Sequence, residues 1–519
     1  MYRPGSGLAL RLGALVGLTL VASGPPAHAA DRPPDATKMT GFVERQMRLS
    51  RIPGLALCVV RGEQVVYEAA FGEGGAPITV ESPFLIGSVT KTFTALAVAQ
   101  LADDGRLRFD DPVGERLPGF AVGGADAGRS ITLRHLLTHT SGLKQWSGHD
   151  RRAQREGRFD HITPARPPGA AFEYSSLNYI VLGKVVEAVS GMPYEAFLRR
   201  RVFEPLEMTS SFAYLEPAGP GRIGRGHWYL FGLTIPRREP LPPGPLVPAG
   251  YVASSARDLG NYLGMLLGGG RFRGRQVVST EALREMLTPW DGGKSGAGMA
   301  WGIGSTRIGH AGNTATFSAR LAMLPPEGYG IALLANVNSG PFVPGTAAVM
   351  DGVVRILRGE DVDSVRPDEI LLKLGVLALV FAGAVRMLLA FRRWSGRGFP
   401  HRLKASRRAA TPLVTEAVAA GLVLLVLPRW IGVPLLTIGE YFPDLGIAIL
   451  AGVVTGAAGA LMRAFLLAEA APSQRSPDRA RPPSPSSGAR PGGRGRVREP
   501  GVEPEDRQEP DGFVPVGRP

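Results

Sequence analysis

A chain of 519 residues is too long for a single small domain, and its formal net charge of +14 invites a nucleic-acid or membrane-surface partner. The positions of the basic residues argue against nucleic acid. They concentrate between Phe391 and Thr411 and again between Arg475 and Arg498, with no basic stripe interleaved with stacking aromatics elsewhere. The one cysteine, Cys58, excludes an intrachain disulfide and a Cys-rich zinc site, and its apolar neighbours mark it as a buried strand thiol.

In chain order, residues 1–29 have the pattern of a secretory signal. Arg3 and Arg11 precede the apolar stretch Leu12–Ala22, and Ala27-His28-Ala29 supplies a small-x-small cleavage site. Whether this segment is cleaved or kept as an anchor, the domain after it is expected outside the cytoplasm. Residues 30–363 alternate apolar periodic segments with Gly/Pro turns, as a globular domain should. The spacing predicts a helix over Ala36–Leu49 and a hairpin of two strands, Gly54–Val60 and Gln64–Phe71. A long helical and loop-rich middle comes next, then strands over Phe317–Met323 and Tyr329–Asn336, then a helix over Ala347–Arg358. The economical architecture is α/β (α+β): one antiparallel sheet built from both ends of the domain and flanked by helices, with a helical insert between the two ends.

Residues 364–470 change character. The stretches 370–390, 412–428 and 446–468 are apolar runs of near bilayer-spanning length and read as three transmembrane helices. The loop after the first carries Arg392, Arg393, Arg397, Arg402, Lys404, Arg407 and Arg408, so the positive-inside rule sets it in the cytoplasm. An exported N-terminal domain requires the same orientation. Three spans then return the tail, residues 471–519, to the cytoplasm of a bacterial membrane protein. This tail is rich in Pro, Gly, Ser and Arg, cannot bury a core, and reads as disordered.

The sharpest chemical signal is Ser88-Val89-Thr90-Lys91, leading into the helical run Thr92–Leu101. Three residues apart on a helix, Ser88 and Lys91 share a face. A serine hydroxyl needs a base to take its proton, and a lysine amine serves once desolvation or neighbouring charge leaves it neutral. A second Ser-x-x-Lys, Ser141-Gly142-Leu143-Lys144, reads as a decoy because Gly142 suits a helix end better than a helix start. His135 and His139, four apart on a predicted helix, have metal-ligand spacing but no third ligand beside them. Asp103-Asp104 and Asp110-Asp111 read as solvated turns, and Trp301 either lines a site or packs in the core.

With Ile86-Gly87-Ser88-Val89-Thr90-Lys91 in place, further segments come in order along the chain. They are Ile131–Leu143, Pro168–Ser176 with Asn178-Tyr179, Val202–Met208, Ser254–Leu259 and His310-Ala311-Gly312. Jointly they resemble the class C β-lactamase-like, penicillin-binding serine hydrolases, which include DD-carboxypeptidases, β-lactamases and esterases. The resemblance implies a β-lactamase/transpeptidase-like fold, Ser88 as the acylated nucleophile and Lys91 as its base. It also implies Tyr174 as the proton shuttle of a Tyr-x-Asn motif, His310 on the strand edging the site, and an oxyanion hole from the backbone N–H groups of Ser88 and Asn313. His135 and His139 become structural, and neither metal nor organic cofactor is required. Ser176 stands where that motif has Asn and offers a substrate amide one short hydroxyl, which puts amide specificity in doubt. Gly312 is expected to keep the strand open to a substrate lying along it. The expected activity is hydrolysis of D-amino-acid peptides, β-lactams or esters; the alternative is a receptor that binds cell-wall fragments and signals through its membrane helices.

Overall fold

The computed structural model describes residues 34–365, apart from 121, 123–129, 145–158, 160–161, 214–222, 240–243, 295 and 339–344. Beyond these it describes 443–470 and scattered positions between 375 and 439. The chain divides into two units, 1–470 and 471–519, and every described residue belongs to the first.

Helix α1 (Ala36–Ser50) begins where the Asp35 carboxylate accepts from Lys38 N at 2.9 Å. It ends at Arg51, whose φ of 50° turns the chain left-handed. Its buried residues Met39, Phe42, Val43 and Met47 follow helical spacing and form the face that packs inward. Strand β1 (Gly54–Arg61) is buried along nearly its whole length, because it pairs on both edges and a core cluster covers each face. One partner is β2 (Gln64–Gly72), its hairpin neighbour. The others in the sheet are β3 (Gly302–Ile303), β4 (Ile308–Asn313), β5 (Ser318–Leu324) and β6 (Tyr329–Ala335). The order is β3-β4-β5-β6-β1-β2, and every pair is antiparallel. The two ends of the domain therefore close one sheet through β1 and β6, with Leu57 opposite Leu333.

Strand alternation sorts the sheet's side chains into two layers. Leu55, Leu57, Val59, Ile331 and Leu333 join α1 and the closing helix in one cluster. Ala56, Cys58, Val60, Ala332 and Leu334 face the insert in the other. Burial, with a smaller contribution from Glu68, pushes the Cys58 thiol up to about 12, so it stays protonated and inert. The insert contains α2 (Thr90–Asp103), α3 (Ser176–Ser190) and α4 (Ala256–Leu267); α5 (Gly345–Leu357) then closes the domain. Helix α2 is buried on every side from Thr90 to Leu101, so it runs through the middle of the insert rather than along its surface.

Two expectations are corrected. The paired aspartates do more than solvate turns: Asp110 and Asp111 pair with Arg134 and Arg116, and Asp103 holds the N-cap residue Ser279. The helix bearing His135 runs only from Leu133 to Leu137, and His139 lies beyond it at a φ of 58°, so the two imidazoles do not share a helical face. No group of residues suited to a metal ion occurs among the described residues.

The signal segment, the tail and all but scattered positions of the first two expected spans lie outside the described residues. Among the described residues there is no helix long and apolar enough to cross a membrane. Helix α6 (Pro443–Ala470) covers the third expected span, and only part of its side chains are described.

Candidate active site

The site is assembled where the start of α2 meets the end of β4. A single 3₁₀ turn, Gly87–Val89, leads directly into α2. Ser88 does not cap that helix: Val89 occupies the cap position and no side chain closes it. The hydroxyl is thereby free for other partners, and it has two. Lys91 Nζ donates to Ser88 Oγ at 3.2 Å, and the Tyr174 hydroxyl donates to the same oxygen at 2.7 Å. The spacing read as one shared helical face thus holds, although Ser88 itself sits in the tighter turn before the α-helix.

Lys91 is fully buried, whereas Ser88 is partly exposed and Tyr174 is 37% exposed. Besides Ser88, Lys91 Nζ donates to the carbonyl of Ala249 at 2.5 Å, and it lies 5.0 Å from the ring centroid of Tyr174 and 5.7 Å from that of Tyr179. Among the described residues no Asp or Glu pairs with it. An amine is therefore held out of water beside a hydroxyl that a substrate can reach, the arrangement a lysine base requires. Ala249 and Tyr179 were not legible as site residues. A carbonyl carries no side-chain signature, and Tyr179 reads as one apolar position on α3.

Beside this turn, β4 carries His310, Gly312 and Asn313. His310 and Gly312 are two apart and point to the same side of the sheet. Desolvation first, and then the Lys91 charge, lower His310 to about 4, against backbone contacts with Ala300 and Ser88 that favour its proton. The ring is neutral near neutral pH. Asn313 ends the strand with its amide oxygen accepting from Ser318 Oγ at 2.9 Å.

Gly312 has a different purpose from the one expected. A Cβ there would stand 2.0 Å from Ile86 O and 2.8 Å from Ser88 N. The space it leaves empty is filled by the 3₁₀ turn that bears Ser88, not by a lane for substrate. Gly87 is the reciprocal case: at a φ of 53°, its Cβ would stand 2.4 Å from Asn313 N. Two backbones in direct contact fix the Ser88 turn on the strand end.

Ser176 opens α3, half-buried, two residues past Tyr174. Asn178 does not replace the motif Asn: it is fully buried, taking Ser141 Oγ at 2.6 Å and reaching His139 Nδ1 at 3.2 Å. That use of Ser141, with Gly142 at a φ of 78°, makes the second Ser-x-x-Lys a turn. Trp301 is 2% exposed and stacks on Tyr262, so it belongs to the core. His139, read as structural, lies against Tyr174 in the wall of the site.

Comparison with known proteins agrees with this geometry. The chain is 33% identical over 313 residues to Penicillin-binding protein 4 of Amycolatopsis lactamdurans, covering 55% of this chain and 81% of the relative. It is 26% identical over 316 residues to Protein flp of Staphylococcus aureus, covering 58% of this chain and only 63% of that protein's length. Among solved structures, a D-stereospecific amidohydrolase from Streptomyces sp. superposes with a TM-score of 0.51 at 25% identity, covering 62% of this chain and 98% of that one. The profile of the Beta-lactamase family matches residues 39–353. Sheet, Ser88 turn and sequence thus converge, and the chain belongs to the Beta-lactamase family.

Proposed function

We propose that the protein is a serine hydrolase that turns over its substrate through an acyl-enzyme on Ser88. The observation that carries the reading is the convergence of Lys91 Nζ and the Tyr174 hydroxyl on Ser88 Oγ, at 3.2 and 2.7 Å.

In acylation, Lys91 in its neutral form accepts the Ser88 proton as Oγ bonds to the substrate carbonyl carbon. The carbonyl electron pair moves onto oxygen, which the N–H groups of Ser88 and Asn313 receive. Collapse breaks the bond to the leaving group, and Tyr174 gives that group its proton. The Lys91 ammonium then faces the Tyr174 ring, whose oxygen carries the negative charge. In deacylation, water attacks and passes its proton back to Tyr174, while Lys91 returns its own to the departing Ser88 Oγ. Each proton moved in the first half is restored in the second.

The substrate class is a small amide, β-lactam or ester, with D-amino-acid peptides outside the cytoplasmic membrane favoured. Support comes from the similarity to a penicillin-binding protein and to a D-stereospecific amidohydrolase, and from the N-terminal signal pattern. Ser176 is the residue against a stringent amide specificity. The membrane arrangement proposed is three C-terminal spans with the loop 391–411 inside, on the strength of its seven unopposed basic residues, Arg392 to Arg408.

Labelling with a fluorescent penicillin or a fluorophosphonate tests the chemistry. Wild type takes the label and Ser88→Ala does not. A folded wild-type protein that neither labels nor turns over ester, β-lactam or D-Ala-D-Ala probes sinks the enzyme reading in favour of a receptor. A reporter fused after Arg408 reads as cytoplasmic, and an external signal overturns the orientation.

A further inference from the structure

Tyr174 reaches Ser88 from a loop, and at 37% exposure its ring has little packing of its own on one side. Its hydroxyl is nonetheless placed at 2.7 Å from Oγ. The residues on either side of Tyr174 are both bonded to His139. Glu173 N donates to the His139 carbonyl at 2.7 Å, and Ser175 N donates to His139 Nδ1 at 3.1 Å. Between these two anchors the His139 ring lies against the Tyr174 ring, with centroids 4.5 Å apart and planes 31° apart. Asn178 Nδ2 reaches the same Nδ1 at 3.2 Å, and Ser141 Oγ in turn holds the Asn178 oxygen at 2.6 Å.

The state of the ring is set by its partners. Nδ1 faces two donors, so it is the acceptor and the proton resides on Nε2. Protonating Nδ1 would set donor against donor. Burial first, then the charge of Lys91, keep His139 well below the usual imidazole range, so the acceptor persists through neutral pH. Two costs are carried to hold it there. His139 sits at a φ of 58°, left-handed for a residue with a side chain, and its buried Nε2 has no hydrogen-bond partner among the described residues. Packing alone would be satisfied by an apolar residue, which leaves no buried nitrogen without a partner.

We propose that His139 is a positioning residue that fixes Tyr174 against Ser88 by holding the backbone on both sides of it and backing its ring. This role rests on acyl transfer at Ser88 and adds to it a residue that the nucleophile, base and shuttle do not include.

The test is a double-mutant cycle on acylation of Ser88 by a fluorescent penicillin, read as the maximal acylation rate and the half-saturating concentration. His139→Phe keeps a ring and removes the acceptor; His139→Asn keeps an acceptor and tolerates the left-handed backbone. His139→Phe is expected to lower the maximal rate on the order of tenfold to a hundredfold, with half-saturation within about twofold of wild type. His139→Asn recovers part of that loss. Combined with Tyr174→Phe, either change costs nothing further, because the group it positions is already gone. Losses that multiply in the double variant, a wild-type rate in both single variants, or a loss confined to half-saturation would overturn the proposal. Should His139→Phe fail to fold, the His139→Asn cycle decides. Wild type that folds but takes no label at Ser88 overturns acyl transfer and this proposal with it; labelled wild type with multiplying losses overturns the clamp alone.

Discussion

At the scale of single residues, the proposed acyl transfer divides among three groups what a lone serine cannot perform. Lys91 is buried to the tip, Tyr174 is partly in solvent, and Ser88 lies between them at hydrogen-bond distance from both. Lys91→Met is expected to slow acylation on the order of a hundredfold to ten-thousandfold, with the fold retained, because a group of similar length fills the same space without a base. Stopped-flow acylation and a thermal melt check both halves of that statement. A rate within a few-fold of wild type would move the base elsewhere. The spacing of Ser88 and Lys91 was legible in the sequence, but Ser141 and Lys144 share it, and the segments that accompany Ser88 singled it out. Tyr174 and His310 needed the resemblance, since they are remote in sequence. Ala249, a backbone carbonyl, had no signal to read.

At the scale of elements, the decisive contact is backbone on backbone. The 3₁₀ turn that bears Ser88 is seated on the end of β4 through Gly87 and Gly312, with no side chain between. Gly312→Ala must push Ile86 O or Ser88 N away, since its Cβ would stand 2.0 Å from the former and 2.8 Å from the latter. The expected result is loss of most acylation, on the order of a hundredfold or more, with a visibly lower melting temperature. Unchanged rates would show that the turn and the strand are not coupled. By contrast, Asp35→Ala removes the cap of α1 on the opposite face of the sheet. It is expected to cost about 1 kcal/mol of stability, read in urea, with acylation unaffected. Strand alternation and helical spacing are local patterns, so both hairpins and both flanking helices were legible to within a residue or two. The segment around His139 was not, because the helix stops at Leu137 and a left-handed residue comes soon after; nothing in the apolar pattern marks that break.

At the scale of the molecule, histidines set an acid limit. His310 is lowered to about 4, and His135 and His139 are lowered too, each with desolvation as the first cause. Their unfolded counterparts titrate near about 6.5, so as pH falls below that value the unfolded chain takes up protons first. Stability supplied by these neutral rings is therefore complete above about pH 6.5 and lost progressively toward about pH 4. The paired carboxylate Asp110 is lowered below its usual range and adds its own loss only at lower pH. The urea midpoint is expected to fall between about pH 7 and about pH 4.5, and to fall less in His310→Gln. A flat profile would show that the imidazole is not desolvated.

The sequence by itself determined the closing of one sheet from both ends of the domain, the one-turn spacing of Ser88 and Lys91, and the inertness of Cys58. All of these come from periodicity or from residues within one turn of each other. Only the tertiary structure decided which carbonyl holds Lys91, why residues 87 and 312 are glycine, and which side chain stands behind Tyr174. Those answers depend on segments that are far apart along the chain and come within a few ångströms only after the insert has folded onto the sheet.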